Sequence, residues 1–238
     1  MLTPWDLVLA ALIAIGLPLR ALHSMRSLKR AEAGGLAQLR PRLWARAMLT
    51  QWLLSAGVIA LWVSQHRDWS ALGLALRPSW GLTGVLLGLF AVVSIVIRQR
   101  GRAFDDPDIR ARIRARLAGV ERLMPRRGEP FLPFAALAVT AGLCEEFLFR
   151  GYLFWMFLHV LPFWGAAAAQ AVCFALGHAY QGRKGVLLTG AAGAFLTLIV
   201  TLTGSLFPAM LIHALMDLHA GDMGRRAFAA PDAGEPPA

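Results

Sequence analysis

Seven apolar stretches, four of whose six connections carry arginine, leave this chain few folds to adopt. A helix crossing a bilayer core needs about 20 predominantly apolar residues, with about 17–25 as the working range. The stretches run from Trp5 to Leu19, Ala47 to Val63, Trp80 to Ile97, Phe131 to Val160, Phe163 to Tyr180, Gly185 to Thr203 and Ser205 to Ala220. They predict an all-α fold, a polytopic transmembrane bundle of about seven spans. The first and last are short for a crossing, and Arg20, Trp5 and Phe207 stand where they can snorkel or anchor at the interface. The 238 residues are 57% hydrophobic and only 16% charged, more oily than an ordinary soluble domain.

The formal charge of +10 would suggest nucleic acid only if the basic residues gathered on a soluble, structured face. They cluster between the hydrophobic runs instead, so no nucleic-acid partner is expected. Short cytoplasmic loops are rich in Lys and Arg. One side of the bundle would hold the clusters Arg20–Arg46, Arg98–Arg127, Arg183 with Lys184, and Arg225 with Arg226, which together carry 21 of the 24 basic residues. The other side holds only Arg67 and Arg77, and Arg150 lies inside a span. This asymmetry predicts an N-out, C-in multi-pass protein of a cell membrane, with the first apolar run retained because no basic segment precedes it. From Pro107 to Met124, apolar Ile109, Ile113, Leu117, Val120 and Met124 recur at helical steps with Arg110, Arg112, Arg114 and Arg116 between them. That pattern predicts an amphipathic cytoplasmic helix at the interface, facing anionic lipid headgroups. Three regions follow: an N-terminal membrane region at 1–130, a membrane core at 131–220, and a Pro- and Ala-rich disordered cytoplasmic tail at 221–238.

Within the fourth span, the stretch LCEEFLFRGYLFW places Glu145, Glu146 and Arg150 far from either apolar end. A charge at a helix centre costs about 2.5–3.5 kcal/mol on insertion scales, so three of them need a reason. Glu146 and Arg150, four apart in the favourable order, can neutralise one another on one helix face as a supporting pair. Glu145 stands roughly 140° from Arg150 round a regular helix and must find a partner on another helix or in a watered cavity. The fifth span ends in CFALGHAY, with Phe174 and His178 one turn apart, and the seventh contains LIHALMDLHAG, with His213 and Asp217 likewise paired. His159 and His219 fall at span ends and read as interfacial. Cys144 and Cys173 lack any CxxC spacing and read as buried free thiols. Glu145 lies about 21 Å along its helix from Phe131, so that helix must tilt or protrude for these groups to meet, which predicts a cleft open to the cytoplasm.

Two histidines and two carboxylates in a watered cavity suit hydrolysis. There is no Gly-rich nucleotide loop and no serine in a GxSxG setting. Glu145, oriented by His178, could take a proton from water attacking an amide, with His213 stabilising the oxyanion. Alternatively, Glu145, His178, His213 and Asp217 could ligate a divalent metal such as zinc, although the spacing is not that of HExxH. Two functions compete with this reading: a proton-coupled transporter, which would use the same ionisable groups as a relay, and a non-catalytic membrane protein, such as an immunity or scaffold factor, which would not need them.

The segments Glu145-Glu-Phe-Leu-Phe-Arg150-Gly, Phe174-Ala-Leu-Gly-His178 and His213-Ala-Leu-Met-Asp217 resemble, in this order, the three motifs of the CAAX protease and bacteriocin-processing family of intramembrane endopeptidases. The resemblance covers roughly Phe131 to Ala220. It implies a helical membrane fold, a membrane-associated peptide or protein substrate, Glu145 as the water-activating residue, His178 beside it and His213 on the oxyanion side. Asp217 stands where well-studied relatives have Asn, and an ionised carboxylate cannot donate to an oxyanion. It must then be protonated, orient His213 or ligate metal. Eukaryotic relatives trim prenylated proteins, whereas the Ala-, Arg- and Gly-rich composition points to a bacterial inner membrane and leaves the substrate open.

Overall fold

The computed structural model describes residues 2–30, 35–76, 78–99 and 106–228, and among these every regular element is helical. Arg100, Arg102, Arg77 and residues 229–238 lie outside the described residues. The helices are α1 (Pro4–Ala11), α2 (Leu17–Arg30), α3 (Leu36–Ser64), α4 (Trp80–Gln99), α5 (Pro107–Leu117), α6 (Leu132–Glu146), α7 (Phe154–Phe157), α8 (Phe163–Gly177), α9 (Gly182–Thr203) and α10 (Leu206–Ala227). Two π-helical turns, Leu12–Gly16 and Phe147–Leu153, join α1 to α2 and α6 to α7 without interrupting the rods.

Five helical rods are long and apolar enough to cross a membrane: Pro4–Arg26, Leu36–Ser64, Trp80–Arg98, Leu132–Phe157 and Ala179–Thr203. The expectation of about seven spans is therefore approximate. Phe163–Gly177 is apolar but has only 15 residues, and the 22-residue α10 carries Asp217, Asp222, Arg225 and Arg226 along its length. The molecule is a multi-pass, all-helical membrane protein. Its outer faces show what lipid contact demands, with Trp80, Phe90, Trp164 and Leu187 all more than 70% exposed.

Close approach of α6 to α10 positions the charged residues. A Cβ on Gly142 would stand 2.8 Å from Ala214 Cβ and from the Met210 carbonyl oxygen, so only glycine lets the backbones meet there. Three residues on from Gly142 and Ala214, the helices carry Glu145 and Asp217. Gly204, at φ +65, ends α9 in the left-handed region, and Ser205 caps α10 by accepting from the Phe207 amide. A tight α9–α10 hairpin follows, returning His213 to the middle of the bundle.

Two expectations from the sequence are corrected. The amphipathic helix stops at Leu117 instead of running to Met124; Gly119, a weak helix former, follows closely, and its backbone lies against the Gln181 carbonyl where any side chain would clash. A short 3-10 turn, Glu121–Leu123, completes the segment, and Ile113 and Met124 are the buried apolar positions. Residues 221–227, assigned to the tail, are helical instead. α10 continues to Ala227, where the Arg114 Nε donates to the Ala227 carbonyl at 2.6 Å. A basic side chain there satisfies a free carbonyl and complements the negative helix end.

Candidate active site

Glu146 is fully buried and Arg150 2% exposed, and Arg150 Nη1 donates to Glu146 Oε1 at 2.9 Å. The two residues pair as their spacing suggests, even though the intervening backbone is π-helical. The same carboxylate oxygen accepts from His213 Nδ1 at 2.7 Å, so the pair is tied directly to α10. On the other side, the Arg150 guanidinium lies 4.0 Å over the Phe174 ring. Phe174 in turn packs against Phe149, His178 and His213, with ring centroids 5.2, 4.8 and 6.0 Å away. Gly193 on α9 admits this stack, since a Cβ there would sit 2.9 Å from Arg150 Nη2 and 3.0 Å from Phe174 Cδ1.

Glu145 turns away from that cluster. Its Oε1 accepts from Gln51 Nε2 on α3 at 2.7 Å, and its Oε2 lies 4.0 Å from His178 Nε2. His178 is the C-cap of α8, and its Nδ1 lies 2.9 Å from the Phe174 carbonyl oxygen. A carbonyl only accepts, so Nδ1 carries the hydrogen and a neutral ring presents the Nε2 lone pair toward Glu145. On α10, His213 Nε2 stands 3.7 Å from Asp217 Oδ2, longer than a hydrogen bond.

These groups line one cavity of about 460 Å³, together with Gln51, Arg20 and Arg116. Its depth is graded by exposure. The Glu145 and His178 side chains are 15% and 19% exposed, whereas Asp217 is 42% exposed and stands furthest toward solvent. The cavity also touches Leu117 and Val120 of the basic connection, so it opens at the end of the bundle where arginines concentrate. A recessed carboxylate beside an imidazole can accept a proton, and His213, its Nδ1–H held by Glu146, can steady a developing negative charge through Nε2 when the ring is doubly protonated.

The proposed metal set does not fit a cation. Among the described residues no group of three His, Cys, Asp or Glu side chains is disposed to hold one. His213 Nδ1 is committed to Glu146 and Glu145 Oε1 to Gln51.

Sequence reasoning missed two sets of residues. Gln51 sits in the apolar run of α3, and an amide inside a span was the available signal. At the opposite end of the bundle, Asp6 is fully buried and accepts from both Nη1 and Nη2 of Arg67 at 2.7 Å, and from the Tyr152 hydroxyl at 2.9 Å. The hydrogen-bonded Asp6 carboxylate raises the Arg67 guanidinium above its ordinary value. His159 and His219 are exposed, apart from the cluster. Cys144 is buried and Cys173 half-buried, and both are free.

Residues 127–219 match the family model described as type II CAAX prenyl endopeptidase Rce1-like. No curated protein and no solved structure matches the chain. The matched segment contains Glu145, Glu146, Arg150, Phe174, His178, His213 and Asp217, and leaves out Gln51, Asp6 and Arg67. Over residues 127–219, this multi-pass membrane protein is similar to the Rce1-like type II CAAX prenyl endopeptidases.

Proposed function

We propose that the chain is an intramembrane endopeptidase in which Glu145 activates the attacking water. The observation that carries this reading is the facing of Glu145 Oε2 and His178 Nε2 across 4.0 Å inside the cavity. That gap is too wide for a direct hydrogen bond and suits a water bound by both groups. Glu145 takes one proton as the water oxygen bonds to the amide carbon, and the carbonyl becomes an oxyanion. Collapse of the tetrahedral species breaks the C–N bond, and Glu145 returns the proton to the leaving nitrogen, giving an acid and an amine. His213 Nδ1 faces an acceptor, so donation from Nε2 to the oxyanion requires the doubly protonated ring, for which Glu146 and Asp217 supply counter-charge. Asp217 therefore orients and balances His213 and gives the oxyanion no hydrogen bond of its own.

The membrane core at 131–220 would carry the chemistry and residues 1–130 would wall the cavity. The arginine asymmetry supports a topology with the N-terminus outside and the C-terminus cytoplasmic, as in a bacterial inner membrane, which opens the cavity to cytoplasmic water. The substrate is then a membrane-associated peptide or protein reached from that side, with surrounding lipids as the other partner.

The test compares new protein termini in membranes of cells carrying wild type and Glu145→Ala at equal abundance. Termini that vanish in Glu145→Ala and reappear with wild type are expected. An identical set of termini would sink the peptidase reading in favour of a non-catalytic role.

A further inference from the structure

Gln51 lies outside the family match, yet its side chain reaches Glu145 from across the bundle. It is only 8% exposed, in the middle of an apolar 29-residue helix. Its Nε2 donates to Glu145 Oε1 at 2.7 Å, a charge-assisted bond if that carboxylate is ionised. Its own Oε1 is buried without a protein partner, as is Glu145 Oε2, and both residues line the cavity. Packing alone is a poor reason for such a residue. A glutamine buried in a span with half its amide unsatisfied costs free energy that a methionine or leucine of similar volume would not.

From this geometry we infer that Gln51 is a positioning residue for Glu145. The inference rests on the peptidase reading and adds a group from the N-terminal region to it. A glutamate side chain has three rotatable bonds, and Glu145 stands at the end of α6 where the backbone passes into the π-helical turn. Held through Oε1, the carboxylate cannot swing about its last torsion, so Oε2 is fixed as the basic oxygen and stays directed at His178. The N-terminal helices thus do more than wall the cavity, because α3 supplies the contact that sets the angle of the base.

The experiment uses the full-length protein in micelles or proteoliposomes, with the variants Gln51→Met and Gln51→His. The first keeps volume and removes the donor; the second keeps an N–H. Two readouts are taken. One is the infrared carboxyl band that disappears in Glu145→Gln, which reports the hydrogen bond whether or not the protein cleaves anything. The other is the separation of kcat from KM on a peptide that wild type cuts. In Gln51→Met, a shifted band with kcat reduced at least tenfold and KM within twofold is expected, and Gln51→His should recover part of kcat. A packing role alone would lower the unfolding midpoint and leave kcat of the folded fraction unchanged, and that result would overturn the inference. An unmoved band overturns it as well. A shifted band with an inert wild type overturns the peptidase reading and with it the positioning role, while upholding the Gln51–Glu145 bond.

Discussion

Glu146 and His213, 67 positions apart in the chain, share a 2.7 Å hydrogen bond at a carboxylate oxygen that Arg150 also reaches at 2.9 Å. This one oxygen links a helix in the middle of the chain to the last one, and it puts an anion between two nitrogenous groups in the bundle interior. Removing that anion strands the fully buried guanidinium.

Glu146→Leu should therefore lower stability by about 3–5 kcal/mol, the usual cost of deleting one member of a buried pair. Glu146→Leu combined with Arg150→Leu should recover most of that loss, because an apolar pair in lipid carries no uncompensated charge. Cleavage should stay lost in both, since His213 has lost its anchor. Detergent unfolding of the single and double variants measures the first two effects. A single variant as stable as wild type would show that the ion pair is not formed.

The α6–α10 contact makes a prediction that involves no charge. At Gly142 a side chain meets Ala214 and the Met210 carbonyl at 2.8 Å, whereas at Gly84 on α4 nothing lies within 4 Å. Gly142→Val should cost about 1–3 kcal/mol or more through overpacking, and Gly84→Ala should be neutral or stabilising by up to about 1 kcal/mol. Unfolding midpoints of the two variants, measured side by side, discriminate between them. Equal effects would mean that α6 and α10 do not approach so closely.

The sequence made Glu145, Glu146, Arg150, His178, His213 and Asp217 stand out because charge is expensive in an apolar helix. Pairing within one helix was readable too, since Glu146 and Arg150 follow the four-residue rule. What escaped was everything set by long-range packing. Gln51 is neutral, so its burial costs less and signals less, and its partner lies 94 positions away. Arg67 reads as a loop residue until Asp6, 61 positions before it, pairs with it and Tyr152, 85 positions after it, bonds the same carboxylate. The two π-turns contain no proline, and the partner that Gly119 approaches just beyond α5, Gln181, is remote in sequence. The joining of Glu146 to His213 belongs to the same class: each was legible, their bond was not.

The cluster of Asp6, Arg67 and Tyr152 should act on stability and leave chemistry alone. It sits at the end of the bundle that holds the 65–79 connection, whereas the cavity opens among Arg20, Trp44 and Arg116 at the other end. Tyr152→Phe deletes one hydrogen bond to a buried carboxylate and should cost about 1.5–3 kcal/mol. Arg67→Met leaves Asp6 buried beside no cation and should cost more, on the order of 3–5 kcal/mol. Folded protein of either variant should retain the wild-type kcat. A tenfold loss of kcat in Tyr152→Phe, at full folding, would mean that the cluster reaches the site through the helix it shares with Glu145.

Metal dependence gives the last discriminating measurement. A catalytic zinc takes three protein ligands at about 2.0–2.2 Å for N and O donors and keeps one position open for water. In this protein the donors fall into pairs, Glu145 with His178 and His213 with Asp217, and no three of them converge among the described residues. Glu145 and His213 each spend one polar atom on Gln51 and Glu146. Cleavage should thus persist after exhaustive treatment with a strong chelator, and elemental analysis of active protein should find well under one equivalent of any transition metal. Activity that falls with chelation and returns with stoichiometric zinc would require the two pairs to close on one ion, with Gln51 releasing Glu145. It would also transfer water activation from the glutamate to the metal.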